Sequence, residues 1–340
     1  MRLSEFDYTL PNELIAQEPI YPRDHCRLMV VHRRTQEIEE KYFYQIVDYL
    51  SKGDVMVFNW SKVIPARLFG RKATGGRVEI LLLNEREKGV WEVLVKRAKR
   101  LRRGSDLFFG DDTIFAKVLD DLGEGRKLLS FFPPERFDEF LQREGKVPLP
   151  PYIHRDVKSA EDYQTVYARV PGSVAAPTAG FHFTEELLQR IRGMGVSTVF
   201  VTLHVGLGTF KPVVAENVES HKMHAEYFEI SQDTARVVND AVESGNRVVA
   251  VGTTAVRVLE TVADNTGKVK AASGWTEMFI YPGYRFKVVD ALVTNFHLPK
   301  STLLMLVYAF GGSNLMRRAY SLAIEKKFRF YSFGDAMLIV

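Results

Sequence analysis

The sequence predicts a mixed α/β protein that carries a small antiparallel β-barrel. Two observations support this. Residues 66–132 fall into six short alternating strands, separated by glycine-bearing turns such as Gly75-Gly76, Gly89, Gly104, Gly110-Asp111 and Gly123-Glu124-Gly125. From Pro171 onward, apolar helical patterns instead alternate with β-branched strand patterns. With 340 residues, 46% of them hydrophobic and 26% charged, the chain has room for two domains and a large core.

Taken in order, residues 10–16 read as a short helix start, 28–32 as a strand and 54–58 as another, ending at Asn59-Trp60. Composition shifts near Ile64-Pro65. The strands that follow are 66–71, 77–83, 90–95, 107–109, 113–119 and 127–132. A helix at 135–143 and the proline-rich run 147–152 close this segment. Thr184 caps a helix with Leu187, Leu188 and Ile191 on one face, which Gly193 or Gly195 ends. Residues 196–203 form a buried strand. Ser231 caps a helix with Ala235, Val238 and Val242 inward, and 247–251 is a strand that delivers Gly252-Thr253-Thr254 to a helix start. Strand 292–294 leads to Asn295-Phe296-His297, and Ser301 caps a helix, 303–310, that is apolar all round and therefore central. Residues 328–333 alternate, and 336–340 make the last strand.

Several function classes are excluded or disfavoured. The single cysteine, Cys26, forbids an internal disulfide and fits a reducing compartment. The start lacks a signal-peptide pattern and the longest apolar run is too short to span a bilayer, so a cytoplasmic protein is expected. The net charge of +4 permits an anionic partner. The densest basic run is Lys96, Arg97, Lys99, Arg100, Arg102 and Arg103, which reads either as a phosphate-binding patch or as a solvated strand end.

Candidate chemistry gathers in three turns, Gly180-Phe181-His182, His204-Val205-Gly206 and Asn295-Phe296-His297, and in the run His221, His224, Glu226. Imidazoles that titrate near neutrality suit proton transfer, and Phe181, Phe183, Phe210 and Phe296 could stack on a planar base. The helix start at Thr253-Thr254 could meet a carboxylate, or Thr254 could be only an N-cap; Arg257 and Glu260 lie three apart and could pair. Gly206-Leu207-Gly208 is followed by Lys211-Pro212 rather than a third glycine, which argues against a dinucleotide fingerprint. Two alternatives stay open: a metal site built on His221, His224 and Glu226 with His182 or His204, and a non-catalytic RNA-binding protein that uses the basic run.

The segments GSVAAPTAGFHFT, VTLHVGLGTFKPV, HKMHAEYF, AVGTTAVRVLE, TNFHLPKSTLLMLVYAF and FRFYSFGDAM, with YPRDHCRLMV, VIPARL and YQTVYARVPGS, together resemble the S-adenosylmethionine:tRNA ribosyltransferase-isomerases of queuosine biosynthesis. The resemblance covers nearly the whole chain. Departures are few: Phe181, Ala255 and Tyr308 stand where the family more often has Leu, Ser and Ser, and Trp60 and Lys62 also differ.

The resemblance implies an L-shaped, two-domain fold, with an α/β domain from 1–63 and 152–340 and an inserted barrel at 64–151. It implies transfer of the ribosyl part of S-adenosylmethionine to 7-aminomethyl-7-deazaguanine at the tRNA wobble position. The products are epoxyqueuosine-tRNA, adenine and methionine. S-adenosylmethionine is then a substrate, no metal or other cofactor is implied, and a monomer is expected. On this reading His182, His204 and His297, with His221, His224 or Glu226 as second choice, move protons. Thr178, Gly180, Phe181, Phe183, Gly206, Gly208, Thr209, Phe210, Thr253, Thr254, Arg257, Asn295 and Phe296 line the substrate site, and the basic run meets tRNA.

Overall fold

The computed structural model describes residues 1–96, 101–155, 159–206, 213 and 215–340. They pack as two compact units, one of residues 1–62, 151–170 and 176–340, the other of 63–150 and 171–175.

The first strands are β1 (Arg27–Val31), β2 (Ile38–Tyr42), β3 (Val55–Asn59) and β4 (Ser61–Val63). The six that follow are β5 (Arg67–Lys72), β6 (Arg77–Glu87), β7 (Val90–Lys96), β8 (Asp106–Phe109), β9 (Ile114–Gly123) and β10 (Arg126–Phe132). They close into an antiparallel barrel in the order β10-β7-β6-β5-β8-β9. Alternation turns Leu68, Ile80, Leu82, Val93, Leu107, Phe109, Ala116, Leu129 and Phe131 inward. Helix α1 (Pro134–Glu144) adds Phe137, Phe140 and Leu141 to that core. Gly70 answers to a close approach: a Cβ there would lie 2.5 Å from the Phe109 ring.

The rest of the chain supplies β11 (Val170–Ser173), α2 (Glu185–Gly193), β12 (Ser197–Leu203), β13 (Glu226–Ile230), α3 (Gln232–Glu243), β14 (Val248–Val251), α4 (Thr253–Val262), β15 (Ala272–Thr276), β16 (Ala291–Asn295), α5 (Thr302–Gly311), α6 (Ser313–Glu325) and β17 (Ala336–Ile339). Nine of the described strands form one sheet, in the order β15-β13-β12-β3-β14-β16-β17-β1-β2. Strands β12, β3, β14 and β16 are parallel, while β13, β15, β17 and β2 run antiparallel to a neighbour. Met56, Phe58, Val249, Val251 and Val293 share a core with Leu187, Leu188 and Ile191 of α2. The alternate residues, Val55, Val57, Val248 and Ala250, are equally buried on the opposite face, where α3 and α4 pack. The fold is therefore mixed α/β with a closed antiparallel barrel.

The helix start expected at 10–16 is only a 3₁₀ turn, Asn12–Leu14. The backbone then bridges to Phe330, which takes Ala16 N–H at 3.2 Å and donates to Leu14 O at 2.8 Å, so extended pairing wins over helix. The alternation of 328–333 forms no strand; Phe328, Phe330 and Phe333 are simply buried. Helix α5 is buried as its all-round apolarity requires, and no helix among the described residues is long and apolar enough to cross a membrane.

Candidate active site

Because β12, β3, β14 and β16 are parallel, their carboxyl ends share one edge of the sheet, where α/β folds place ligands. The turns at 204–206, 252–254 and 295–297 all leave from that edge. Strands β1 and β17 run the opposite way to β16, so Cys26, just before β1, and Gly334-Asp335, just before β17, come to the same edge.

The turn Gly252-Thr253-Thr254 opens α4. Gly252 is its cap residue, at φ +87°, a conformation that L side chains rarely adopt, and no side chain caps the helix. Thr254 is thus not the N-cap; it sits in the first turn with a buried Oγ1 that has no hydrogen-bond partner among the described residues. Gly252 N–H goes to Val293 O at 2.8 Å, while the first-turn N–H groups have no carbonyl four residues back to receive them.

Two side-chain groups flank this turn. In the first, His182 lies in the 3₁₀ turn Thr178–His182, which packs against β16. Its Nδ1 is 3.1 Å from Cys26 Sγ and its Nε2 is 3.1 Å from Asn295 Nδ2. Asn295 Oδ1 accepts from Thr178 Oγ1 at 3.0 Å, and Asn295 Nδ2 donates to Tyr331 O at 3.2 Å. Burial, then the charges of Arg23 and Arg329, hold the His182 pKa down to about 3, and burial pushes the Cys26 thiol well up, so both are neutral. Gly180 is required here: a Cβ would lie 1.9 Å from the Tyr167 hydroxyl.

In the second group, the buried carboxylate of Glu226 is ion-paired with Arg257 Nη1 and accepts Gly206 N–H at 2.8 Å. Arg257 Nε donates to Met278 O at 3.0 Å, and its buried Nη2 has no partner among the described residues. The pairing of Arg257 with Glu260 therefore does not form. Glu260 instead accepts Tyr284 O–H and the backbone N–H groups of Lys287, Val288 and Val289, at 2.9–3.3 Å. His204 stacks on Tyr227 with ring centroids 5.7 Å apart, and its buried Nδ1 has no partner among the described residues. Burial lowers its pKa, Glu229 opposing, so the imidazole is held toward its neutral form.

A match to the Queuosine biosynthesis protein family model spans residues 3–339. The chain belongs to that family. Over 341 residues, covering both chains completely, it is 54% identical to the S-adenosylmethionine:tRNA ribosyltransferase-isomerases of Halothermothrix orenii and Symbiobacterium thermophilum. It is 52% identical, again over both full lengths, to the protein of that name in Thermoanaerobacter sp.. Among solved structures, an S-adenosylmethionine tRNA ribosyltransferase from Thermotoga maritima matches with TM-score 0.58 and 42% identity, covering 99% of this chain and 100% of that one.

Within this family member, the remaining expected site residues have separate surroundings. His297 Nε2 is 2.7 Å from Thr294 Oγ1, and burial lowers its pKa. Phe183 is wholly buried, edge-to-face with Phe43 and Phe58, and Phe296 packs on Tyr320, Phe328 and Phe330. Both rings are core residues here, enclosed rather than presented to a base. Phe181 stacks on Phe333, with the Arg23 guanidinium 5.1 Å from its centre. His221 packs edge-on to Phe279, while His224 is exposed. Among the described residues no three His, Cys, Asp or Glu side chains are grouped to hold a metal ion, and Glu226 faces a guanidinium. Lys96 pairs with Glu79 at 3.2 Å; Arg102 and Arg103 are exposed. Arg97, Lys99, Arg100, Gly208, Thr209 and Phe210 lie outside the described residues.

Asn59 has a role that the sequence did not reveal. Its buried amide accepts Leu203 N–H and donates to Leu203 O, at 3.1 and 3.0 Å, so a side chain continues the β3–β12 ladder to the residue before His204. Its position at the end of the run 54–58 was the available signal.

Proposed function

We propose that this chain transfers and isomerises the ribosyl group of S-adenosylmethionine onto the aminomethyl group of 7-aminomethyl-7-deazaguanine at the wobble position of a tRNA. Epoxyqueuosine-tRNA, adenine and methionine are the products. Family membership supplies the reaction class. The observation that carries the reading to residues is the α4 start, where a left-handed Gly252, the first-turn N–H groups of a helix with no side-chain cap and a Thr254 hydroxyl unpartnered among the described residues lie at the carboxyl edge of the sheet. This arrangement suits the methionine carboxylate, with Thr253 alongside.

The sulfonium acidifies the ribose 5′ hydrogens, so the reaction needs a base, and departing adenine needs a proton. His204 is the side chain best prepared to act as that base, being held toward its neutral form and carrying an Nδ1 without a partner among the described residues. Glu226 and Arg257 fix Gly206 beside it. S-adenosylmethionine is consumed as a substrate, and no metal or further cofactor takes part. Lys96, Arg102 and Arg103 on the barrel unit, with their neighbours in sequence, meet the tRNA backbone, which positions the anticodon loop without reading sequence.

The test is incubation with S-adenosylmethionine and tRNA bearing 7-aminomethyl-7-deazaguanine, in the presence of a chelator. Equal release of adenine and methionine, with a ribose-derived mass gain on the tRNA nucleoside, is expected. A tRNA of unchanged mass would refute the assignment. Activity that appears only on adding a divalent ion would refute the metal-free mechanism.

A further inference from the structure

We propose that Cys26 is a positioning residue: with Asn295 it locks His182 as the neutral tautomer protonated on Nδ1, and so fixes the Thr178 hydroxyl at the site edge. The kinetic consequence rests on the ribosyl-transfer reading above; the tautomer does not.

One group in this cluster admits no choice of role. The Tyr331 carbonyl can only accept, so the Asn295 side-chain atom 3.2 Å from it must be the NH₂ nitrogen. That nitrogen also faces His182 Nε2 at 3.1 Å, while Asn295 Oδ1 faces the Thr178 hydroxyl at 3.0 Å. One amide hydrogen goes to Tyr331 and the other to the imidazole. His182 Nε2 therefore accepts, and the ring proton sits on Nδ1. The atom facing Nδ1, at 3.1 Å, is Cys26 Sγ, so the sulfur takes that hydrogen. The Phe43 ring, with its centroid 5.1 Å from that of His182, packs beside the imidazole.

This assignment separates the group from nucleophilic Cys–His–Asn constellations, in which the imidazole removes the thiol proton. Here the nitrogen facing sulfur already carries a hydrogen, and the thiol is buried. An imidazolium would set an N–H on Nε2 against the amide hydrogens of Asn295, and the cations Arg23 and Arg329 disfavour it further. The acid or base of the reaction must then be another group. The contribution of the chain Cys26–His182–Asn295–Thr178 is to hold one hydroxyl in one orientation.

Full-length protein with isotopically labelled histidine tests this by long-range proton–nitrogen correlation spectroscopy, with His182 assigned from its loss in His182→Gln. A protonated Nδ1 and bare Nε2, unchanged between about pH 6 and 8, are expected, because an ordinary histidine titrates in that window. A protonated Nε2, or a titrating ring, in the wild type would overturn the proposal. Cys26→Ser retains an acceptor and should keep both the signals and the kinetics. Cys26→Val strands the Nδ1–H, so the His182 signals should shift and the KM for S-adenosylmethionine should rise about three- to tenfold, the scale of one neutral hydrogen bond, with the pH profile of kcat unmoved. Unchanged His182 signals in Cys26→Val would refute the role of the thiol. Asn295→Asp replaces the amide donor with an acceptor, so a proton should return to Nε2; its failure to do so would refute the role of the amide. The spectra are recorded without substrate, so they decide the tautomer even if no ribosyl transfer is found.

Discussion

Replacing Arg257 with Met removes the guanidinium that holds Glu226 while keeping most of the side-chain volume. Both residues are 4% exposed, so neither charge can turn to water without opening the region between α4 and β13. In Arg257→Met the carboxylate keeps the Gly206 N–H at 2.8 Å but loses the Arg257 guanidinium. Breaking a buried pair by removing one partner costs about 3–5 kcal/mol, against about 0–1 kcal/mol for a solvent-exposed pair. For a unit of this size, that loss lowers the midpoint of thermal unfolding by roughly 10 °C. Scanning calorimetry, following the transition of the α/β unit, measures it. The double variant Glu226→Leu/Arg257→Met removes both charges and should recover at least half of the loss, since apolar replacement of a buried pair is often near neutral. A drop of less than about 1 kcal/mol in the single variant, or no recovery in the double, would show that the pair is solvated and does not anchor Gly206.

Thr254→Val should leave stability nearly unchanged, because its Oγ1 has no partner among the described residues, yet raise the KM for S-adenosylmethionine about tenfold, the scale of a hydrogen bond to a charged group; steady-state kinetics with calorimetry separates the two effects. Arg102→Ala/Arg103→Ala should weaken tRNA binding and flatten its dependence on salt by up to about two ions, leaving S-adenosylmethionine binding in place. Titrations at several salt concentrations check this, and an unchanged slope would put the tRNA contact elsewhere. Burial lowers the folded pKa of His182 from 6.5 to about 3, so below 6.5 the unfolded chain binds a proton that the folded chain refuses. The stabilisation is complete above 6.5 and is lost as pH falls toward 3, by up to about 1.4 kcal/mol per pH unit. Denaturant unfolding at about pH 7.5 and pH 5.5 should show a smaller loss in His182→Gln than in the wild type. Glu260→Ala strands three backbone N–H groups and the Tyr284 hydroxyl and should cost about 2–4 kcal/mol, read from the same unfolding curves.

What the sequence revealed depended on how local the determining interactions were. The barrel strands and α5 were legible because period-two alternation and all-round apolarity are local signals. Strand β15, Ala-Ser-Gly-Trp-Thr, has no such signal; its pairing with β13 makes it a strand. Strand β2 is hidden for a related reason, since its Ile-Glu-Glu-Lys-Tyr lies at an edge and has no face to bury. The glycine turns of the site stood out, but their partners did not. Cys26 reaches His182 across 156 residues and Asn59 reaches Leu203 across 144, distances at which spacing carries no information. The choice of Glu226 over Glu260 by Arg257 was equally out of reach: helical spacing favoured the near carboxylate, and the backbone of 287–289 had already taken it.

The barrel closes on itself, each of its six strands paired on both sides, but the nine-stranded sheet ends at β2 and at β15. These ends are not equivalent as templates for another chain. Along β2, Glu39, Glu40 and Lys41 place charge where an incoming strand would have to dock, which opposes edge-to-edge growth. Strand β15 carries no charge, and its Trp275 is 53% exposed. Any self-association of the folded chain through its sheet should therefore begin at β15, and a single Trp275→Lys substitution should suppress it.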